Sequence, residues 1–409
     1  LVPNSGIAQT ASLQAAIDHA ADNGLVVVLP EGHFIVSDLR LRSGTVLIGR
    51  SQRTVLEFAG GAAFITADKA DGIILRDLVL DGLYKTLDEE RGEALLTIAN
   101  SADIEISSVT IRNGVKTGLS LSDCGGRIAA IDIHDVLDAG IKSLDAKALD
   151  IRDCTITRCG NNGLLVWRSA PGEDGTVVAG NRISAIRNAA GGTGEYGNGI
   201  NVFRAGSVLV QANRVHDCAY SAIRGNAASN IQIVANSCER LGEVAIYSEF
   251  GFEGALIANN LVDGAATGIS VTNFNEGGRL AVIQGNLIRN LFRREHEPED
   301  KRGEGIGVEA DASVTGNTIE GATTVGIQIG WGPYMRNVAA TGNVIRQAGV
   351  GITITNAVEA GACLIANNLI CDTRNGAIRH MSQGTPLGPD LARQAQQAGR
   401  ITLSGNVAA

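Results

Sequence analysis

The sequence predicts an all-β fold, a right-handed parallel β-helix built as a single-stranded solenoid, with an α-helix capping its N-terminal end. The first supporting observation is a recurring motif, in which Gly or Ala is followed by Ile or Leu and then by a short strand whose side chains alternate between its two faces. Its anchors Ile200, Ile223, Ile246 and Ile269 follow one another at intervals of 23 residues. The second is an Asn before an apolar pair, recurring from GNRIS to NNLIC. A period in the low twenties with short strands and Gly or Asn turns is typical of a β-solenoid.

The recurring Asn residues have a structural explanation. Asn tolerates the left-handed conformation of a turn, and stacked Asn side chains can bond one another and the backbone. We therefore expect these residues to hold the coils together rather than to catalyse a reaction.

The N-terminal segment differs from the repeats. Residues 13–24 (LQAAIDHAADNG) form an amphipathic pattern that ends at a Gly, as helices often do. Such a helix would cover strand edges that the first coil otherwise exposes. We predict one domain over residues 1–409, with the cap and first coil in 1–45 and repeating coils in 46–409. Longer spacings predict insertions near residues 187–198 and 292–304.

Composition limits the partners. The chain of 409 residues has a formal net charge of −9 and no basic stripe, which argues against nucleic acid. The sequence contains no run of about 18 apolar residues, so no membrane span is predicted. The His residues lack the paired spacing of a metal site, so neither metal nor cofactor is predicted. Outward hydrophobic residues leave a homo-oligomer contact open.

Several longer motifs carry a family resemblance. LQAAID and LRSGTVLIG resemble the pectate-lyase-like β-helix superfamily. YGNGINVFRAG, GEVAIYSEFGFEGA and GWGPYMR resemble a bacterial family of twin-arginine-translocated β-helix repeat proteins. The resemblance covers nearly the whole chain. It implies a periplasmic or secreted bacterial protein whose signal peptide is not part of this sequence, and it implies no particular chemistry.

Alternation along the strands predicts an outward wall. With Ile200 and its equivalents inward, the next residue and the one two beyond it point outward. Exposed aromatics beside hydrogen-bonding groups suit a sugar ring, so we expect a polysaccharide or oligosaccharide substrate. The alternative is that loops cover these aromatics as a secondary core. The predicted substrate-binding residues are Lys142, Trp167, Arg168, Asn201, Phe203, Arg204, Asn226 and Asn273.

A carboxylate pair suggests glycoside hydrolysis or transglycosylation. Glu249 and Glu309 share an outward column two rungs apart, roughly 9.6 Å between backbones, and inverting glycosidases hold their carboxyls about 6.5–9.5 Å apart. Aromatic Tyr247, Phe250 and Phe252 flank Glu249, which predicts a raised pKa and the general-acid role. Glu309 would then be the base. Arg224 would hold Glu249 ionised, clamp a substrate carboxylate, or form an ion pair that only joins two rungs.

Two other functions remain open. In a polysaccharide lyase, Arg224, Lys142, Arg168 or Arg204 would neutralise a uronate while Tyr247 moves the proton. The Asp clusters of Ca²⁺-dependent pectate lyases and the paired Asp motifs of polygalacturonases are not evident. A non-catalytic carbohydrate-binding envelope protein is the third candidate. The predicted catalytic residues are Glu249, Glu309, Arg224 and Tyr247.

Overall fold

The computed structural model describes residues 1–88, 92–294, 302–394 and 399–409. The chain divides into two compact units, Leu1–Leu209 (unit 1) and Val210–Ala409 (unit 2).

Unit 1 contains one α-helix, α1 (Thr10–Asn23), followed by short strands. The strands are β1 (Val26–Val28), β2 (Gly32–Val36), β3 (Leu39–Leu41), β4 (Val46–Ile48), β5 (Thr54–Phe58), β6 (Ile65–Asp68), β7 (Ile74–Arg76), β8 (Val79–Asp81), β9 (Ala94–Ala99), β10 (Ile104–Ser107), β11 (Thr110–Gly114), β12 (Thr117–Ser122), β13 (Gly126–Ala129), β14 (Asp132–Val136), β15 (Ala139–Leu144), β16 (Asp150–Arg152), β17 (Thr155–Cys159), β18 (Asn162–Glu173), β19 (Val177–Ala179), β20 (Arg182–Ile186) and β21 (Asn198–Gly206). Strand β22 (Leu209–Gln211) contains the boundary between the units.

Unit 1 is a parallel β-helix, as predicted. Every third strand belongs to the same sheet, so β12 pairs in parallel with β9 and with β15. We name the sheet that starts with β1 the first sheet, and those that start with β2 and β3 the second and third. In the third sheet Leu119, Ile141, Leu164 and Ile200 follow one another in register and are fully buried. The apolar repeat therefore forms the core.

Helix α1 confirms the predicted cap and begins at Thr10, before the predicted Leu13. It buries Leu13, Ile17 and Ala20 and packs against β1, β3 and β4. Gly24 ends it with φ of 63°, and its N–H bonds to the carbonyl of Ala20. A left-handed residue at this position favours Gly because it has no Cβ to clash.

Unit 2 continues the pattern of short strands and contains short 3₁₀ helices at Phe274–Glu276 and Leu391–Arg393. Its strands are β23 (Arg214–Cys218), β24 (Ile223–Asn226), β25 (Ile231–Val234), β26 (Ser237–Leu241), β27 (Val244–Glu249), β28 (Glu253–Ala258), β29 (Leu261–Ala265), β30 (Thr267–Val271), β31 (Arg279–Gln284), β32 (Leu287–Leu291), β33 (Glu304–Val308), β34 (Ala310–Thr315), β35 (Thr318–Ala322), β36 (Val325–Ile329), β37 (Arg336–Thr341), β38 (Val344–Arg346), β39 (Val350–Thr355), β40 (Cys363–Ala366), β41 (Leu369–Cys371), β42 (Ile378–Ser382), β43 (Thr385–Leu387), β44 (Ile401–Ser404) and β45 (Val407–Ala408).

Unit 2 is also a parallel β-helix, except that β43 pairs antiparallel with β42. Ile223, Ile246, Ile269 and Ile306 lie in register in its third sheet and are fully buried. The inward anchors predicted from the 23-residue interval are therefore confirmed.

An asparagine ladder runs through unit 2 and confirms the structural role expected of these residues. In each step the backbone N–H and side-chain amide of one Asn donate to the side-chain oxygen of the next. At Asn286, for example, both donors reach Asn317 Oδ1 at 3.0 and 2.9 Å. The same amide also donates to the carbonyl of Ile257 at 3.1 Å. The rungs of the ladder are Asn213, Asn236, Asn260, Asn286, Asn317, Asn343, Asn368 and Asn406.

Both predicted insertions fall between strands of the second and third sheets. Residues 187–197 separate β20 from β21 in unit 1, and residues 292–303 separate β32 from β33 in unit 2. Residues 295–301 of the second insertion lie outside the described part of the chain. No helix of the described residues has the length and apolar character needed to span a bilayer.

Candidate functional site

The candidate catalytic residues lie on the outward face of the third sheet in unit 2. This unit 2 wall consists of the outward residues of β24, β27, β30 and β33. One column runs from Arg224 to Tyr247, Ser270 and Gly307. The second begins with Asn226 opposite Glu249. These pairings confirm the predicted columns, which follow from the alternation of side chains along each strand.

Glu309 continues this second column. Ser248 is opposite Val271, and Val271 is opposite Val308, so Thr272 separates Glu249 from Glu309. The two carboxylates are therefore two rungs apart, roughly 9.6 Å between backbones.

Arg224 and Glu249 form a buried ion pair between adjacent rungs. Arg224 Nε lies 2.6 Å from Glu249 Oε1, and the side chains are 12% and 3% exposed. Asn226 Nδ2 donates to the same oxygen at 3.2 Å. Burial raises the pKa of Glu249, although the Arg224 cation and the hydrogen bonds oppose that rise. The Arg224 guanidinium also stacks over Tyr247, 5.1 Å from the ring centroid.

Glu243 is a second carboxylate on Arg224, and it was not predicted. Its Oε2 lies 3.7 Å from Arg224 Nη1, and its Oε1 lies 3.4 Å from Arg302 Nη2. Arg294 Nη1 is 4.0 Å from the same Oε1 and its guanidinium stacks over Tyr220. Burial raises the pKa of Glu243, against the lowering effect of the three arginines.

The contacts of Glu243 alter the interpretation of the second insertion. The arginines at its described ends, Arg294 and Arg302, are only 16% and 17% exposed. The described ends of the insertion therefore pack onto the wall. Glu243 directly precedes β27, in a GEV sequence that resembles GEG at the start of β33. That similarity was the available signal.

Glu304, in the second of these sequences, is also buried, at 7% exposure. A Cβ at Gly307 would lie 3.9 Å from Glu304 Oε2, which puts this carboxylate on the outward side of the strand. The wall therefore carries more carboxylates than the sequence analysis identified.

Glu309 has a different environment. Its Oε2 accepts the backbone N–H of Phe274 at 2.6 Å. Burial raises the pKa of Glu309 to about 7, and the N–H groups of Phe274 and Asn273 oppose that rise only in part. Asn273 has φ of 71°, and its Oδ1 accepts the Phe250 N–H at 3.3 Å. The turn after β30 thus covers Glu309 and is anchored to the preceding rung.

The expected catalytic roles stay a prediction, and the raised pKa expected for Glu249 is confirmed in direction. Glu249 was expected to be the acid and Glu309 the base. Glu249 forms an ion pair with Arg224. Burial raises the pKa of Glu309 to about 7. A cation stabilises a carboxylate, whereas burial without one favours the protonated acid. The environments therefore favour the reverse assignment.

The expectation that the outward wall is exposed to solvent is wrong for three residues. Asn201, Glu249 and Glu309 are 6%, 2% and 9% exposed. The turn at Asn273–Phe274 covers Glu309, and the arginine cluster surrounds Glu249. Side-chain alternation predicts which face a residue takes, but not what connecting segments lay over that face.

Unit 1 carries the other predicted substrate-binding residues. Its outward columns in β15, β18 and β21 place Lys142 opposite Leu165 and Leu165 opposite Asn201, with Trp167 opposite Phe203. We call these five residues the unit 1 wall. The two aromatic rings meet edge to face, 6.0 Å apart at 68°.

Two cations near this wall have partners. Lys142 pairs with Glu93. Arg204 stacks over Phe203, 4.6 Å from the centroid, and donates to the carbonyl of Ser169 at 3.0 Å. Arg168 Nε makes no hydrogen bond among the described residues and would lie 3.3 Å from a Cβ at Gly172.

An open groove of about 620 Å³ lies elsewhere, on the outward face of the first sheet in unit 2. It is lined by Asn230, Ile231, Gln232, Gly254, Ala255, Leu256, Leu280, Ala281, Val282, Asp311, Ala312, Ser313 and Asn337. None of the predicted site residues is among them. Within the described ranges, no group of three or more His, Cys, Asp or Glu residues is placed to hold a metal ion.

Comparison with known proteins identifies the family. The right-handed beta helix region family matches residues 94–288 and 172–345, which together exceed half of the chain. The chain belongs to the right-handed β-helix family. No curated protein is similar to it in sequence.

The chain is also similar to solved structures. The N-terminal fragment of bacteriophage Phi29 gene product 12 is 18% identical, with a TM-score of 0.55, covering 90% of this chain and 66% of that one. The catalytic unit of a GH87 α-1,3-glucanase from Streptomyces thermodiastaticus is 16% identical, with a TM-score of 0.49, covering 100% and 67%. The mannuronan C-5 epimerase A-module from Azotobacter vinelandii is 17% identical, with a TM-score of 0.43, covering 98% and 96%. The chain spans about two thirds of the first two proteins, and the likeness to the Phi29 fragment supports the fold alone.

Within this β-helix, the structure brings Arg224, Tyr247, Glu249 and Asn226 together. Glu309 lies two rungs further along the same wall, and Asn273 serves its covering turn. Lys142, Trp167, Asn201 and Phe203 lie on the unit 1 wall, with Arg204 stacked on Phe203. Arg168 lies beside Gly172.

Proposed function

We propose that the chain is a glycoside hydrolase or transglycosidase that cleaves a polysaccharide, with Glu309 as general acid and Glu249 as general base. The observation that carries this proposal is the contrast between two carboxyls of one column. Glu309 has a pKa near 7, whereas Glu249 is bonded to Arg224 at 2.6 Å. Burial raises the pKa of both carboxyls, but the Arg224 cation favours the ionised form of Glu249, so Glu309 suits the acid role and Glu249 the base role.

The spacing favours inversion at the anomeric carbon. Two rungs give roughly 9.6 Å between the backbones, and inverting glycosidases hold their carboxyls about 6.5–9.5 Å apart, with room for a water. Retaining enzymes need only about 5–5.5 Å, so that one carboxylate attacks the sugar directly.

The protonation states fit the two roles at neutral pH. With a pKa of about 7, a substantial fraction of Glu309 carries a proton to give to the leaving-group oxygen. Glu249 accepts a proton from the attacking water. Arg224 and Asn226 position Glu249 through their bonds to Oε1.

The same contacts weigh against β-elimination. Arg224 is bonded to Glu249 and near Glu243, and Lys142 pairs with Glu93, so neither is available to neutralise a substrate carboxylate. Burial raises the pKa of Tyr247 to about 12. The phenol therefore stays protonated at neutral pH and is a poor base for proton abstraction.

The test is a panel of neutral and acidic polysaccharides, with products assayed for new reducing ends and for the ultraviolet absorbance of a new C=C bond. We expect reducing ends only. Glu309→Gln and Glu249→Gln should each lower kcat by about 100-fold or more. Glu320→Gln is the matched control. Glu320 is half-exposed and pairs with Arg346, and both residues lie on the second sheet rather than the third.

Full activity in both Gln variants would contradict the assignment of the pair. A product with a new C=C bond would replace hydrolysis by lyase chemistry. Binding without either product would instead support a carbohydrate-binding envelope protein.

We also propose that the protein is exported to the periplasm or secreted. The support is the motif resemblance to twin-arginine-translocated β-helix repeat proteins. Fractionation of the producing bacterium, with immunodetection of the chain, tests this. Recovery only in the cytoplasmic fraction would contradict it.

A further inference from the structure

The unit 1 wall combines paired charges with neutral polar atoms that have no partner. Among the described residues, Trp167 Nε1 and Asn201 Oδ1 are buried and make no hydrogen bond. Asn201 is 6% exposed, so its side chain is more than nine-tenths buried. Buried polar groups are nearly always hydrogen-bonded, and an exception calls for a functional explanation.

The two atoms belong to the same face. Leu165 is opposite Asn201, and Trp167 lies two residues beyond Leu165 on the same strand. A rung of about 4.8 Å and a two-residue rise of about 6.6 Å put Trp167 and Asn201 diagonally about 8 Å apart. An indole side chain bridges much of that distance. The wall thus offers one N–H donor and one C=O acceptor beside the Phe203 ring.

A hydroxyl group matches this pair of atoms. It accepts from the indole N–H and donates to the amide oxygen, whereas a carboxylate only accepts. The nearby cations Lys142 and Arg204 already have partners in Glu93 and in the Ser169 carbonyl. A carboxylate would therefore face the Asn201 oxygen, while Arg168, whose Nε makes no hydrogen bond among the described residues, lies beside Gly172.

We propose that the unit 1 wall is a subsite for a neutral sugar residue. One sugar hydroxyl accepts from Trp167 Nε1 and donates to Asn201 Oδ1, and the apolar face of the ring packs near Phe203. The polysaccharide substrate is accordingly a neutral glycan rather than a polyuronate. This inference rests on the proposed function only in taking the ligand to be a glycan.

The chain provides its own reporter for a test. Its only two tryptophans are Trp167 and Trp331. In a Trp331→Phe variant, Trp167 is therefore the only source of indole fluorescence. The probes are neutral glucan and mannan hexasaccharides, compared with hexasaccharides of galacturonate and mannuronate. The dissociation constant is measured by fluorescence titration and by calorimetry.

We expect at least one neutral hexasaccharide to change the fluorescence of Trp167, and both uronate probes to bind at least about tenfold more weakly. Trp167→Phe keeps an aromatic ring and removes the N–H, and Asn201→Leu removes the acceptor. Each should weaken neutral-glycan binding about tenfold by calorimetry, the loss expected for one hydrogen bond. Trp331→Phe is the matched control and should bind as the unsubstituted protein does.

Folding is checked by circular dichroism. If Asn201→Leu does not fold, Asn201→Asp gives the second comparison, because it keeps an acceptor oxygen and should retain neutral-glycan binding. Tighter binding of uronates than of neutral probes would overturn the inference. So would unchanged affinity of folded Trp167→Phe and Asn201→Leu variants.

The reducing-end assay separates this inference from the proposed function. Neutral-glycan binding that depends on Trp167, without release of reducing ends, refutes hydrolysis and supports the subsite. Cleavage of a glycan with unchanged affinity and KM in both wall variants supports hydrolysis and refutes the subsite.

Discussion

The two walls are built on the same pattern of alternating strands, yet they carry different chemistry. The unit 1 wall presents Trp167, Phe203 and the amide of Asn201, and its cation Lys142 pairs across to Glu93. The unit 2 wall presents carboxylates and arginines that are nearly all buried. The comparison shows that the repeat determines where a side chain points. The connecting segments determine whether it meets water, an ion pair or a buried carboxyl.

The largest expected effect comes from removing a cation on each wall. In unit 2, Arg224→Met leaves Glu249 and Glu243 without their central cation, and breaking a buried pair costs about 3–5 kcal/mol. In unit 1, Lys142→Met breaks a pair whose side chains are 25% and 44% exposed. Such partly exposed pairs contribute about 1 kcal/mol or less. Urea unfolding of both variants measures the difference, and equal losses would contradict the distinction between the walls.

A second prediction concerns pH and Glu309. Burial raises its pKa from 4.5 to about 7, so the folded protein binds this proton more tightly than the unfolded chain. Its stabilising contribution is therefore present below about pH 4.5 and is lost as pH rises through about 7. The difference corresponds to roughly 3 kcal/mol. The free energy of unfolding at several pH values should show this dependence in the unsubstituted protein and lose it in Glu309→Gln.

The acid role adds a kinetic counterpart to this pH dependence. Because the proposed acid must be protonated, kcat should fall as pH rises above about 7. The control Glu320→Gln should keep both dependences. A Glu309→Gln protein with the same stability profile as the parent would show that another group is responsible.

The sequence predicted the fold of each unit and the face taken by each outward residue. Ile200, Ile223 and Ile246 are enough to establish register, because alternation along a strand is a fixed geometric rule. The sequence did not predict the burial of Glu309, since that depends on the turn at Asn273–Phe274. The conformation of such a turn follows no repeat.

The ion pairs around Glu243 escaped prediction for a similar reason. Arg302 approaches Glu243 from 59 residues away in sequence, through an insertion whose length alone is visible beforehand. The Arg224–Glu249 pair, in contrast, joins adjacent rungs and was foreseen as one of several alternatives.

The asparagine ladder gives a third prediction, smaller than the first two. Asn286→Ala removes the acceptor for Asn260 and the donors to Asn317 and Ile257 in unit 2. Leaving buried groups unsatisfied costs about 1–3 kcal/mol. Asn23→Ala in unit 1 is the control, since its exposed amide donates to the carbonyl of His19 at 2.8 Å. Thermal unfolding should show a lower Tm for Asn286→Ala and almost no change for Asn23→Ala.

The smallest expected effect compares two equivalent turns, one in each unit. Asp135 in unit 1 and Asp217 in unit 2 each accept a two-point bond from an arginine on the next rung, Arg158 or Arg240. These bonds hold the pKa of Asp135 well below its usual range and lower that of Asp217 to about 2. Their contribution to stability is present above about pH 4 and is lost as pH falls through the lowered pKa values, opposite in sign to Glu309.

Both aspartates are partly exposed, so the Asp135 pair should contribute less than about 1 kcal/mol. Asp135→Asn and Asp217→Asn should each reduce the loss of stability between pH 4 and pH 2 by a similar small amount. High salt should remove most of that difference, because exposed charges are screened, whereas the loss in Arg224→Met should persist. If high salt instead abolished the loss of stability in Arg224→Met, the Arg224 pair would be exposed to solvent. The two walls would then differ in their residues but not in the burial of their charges.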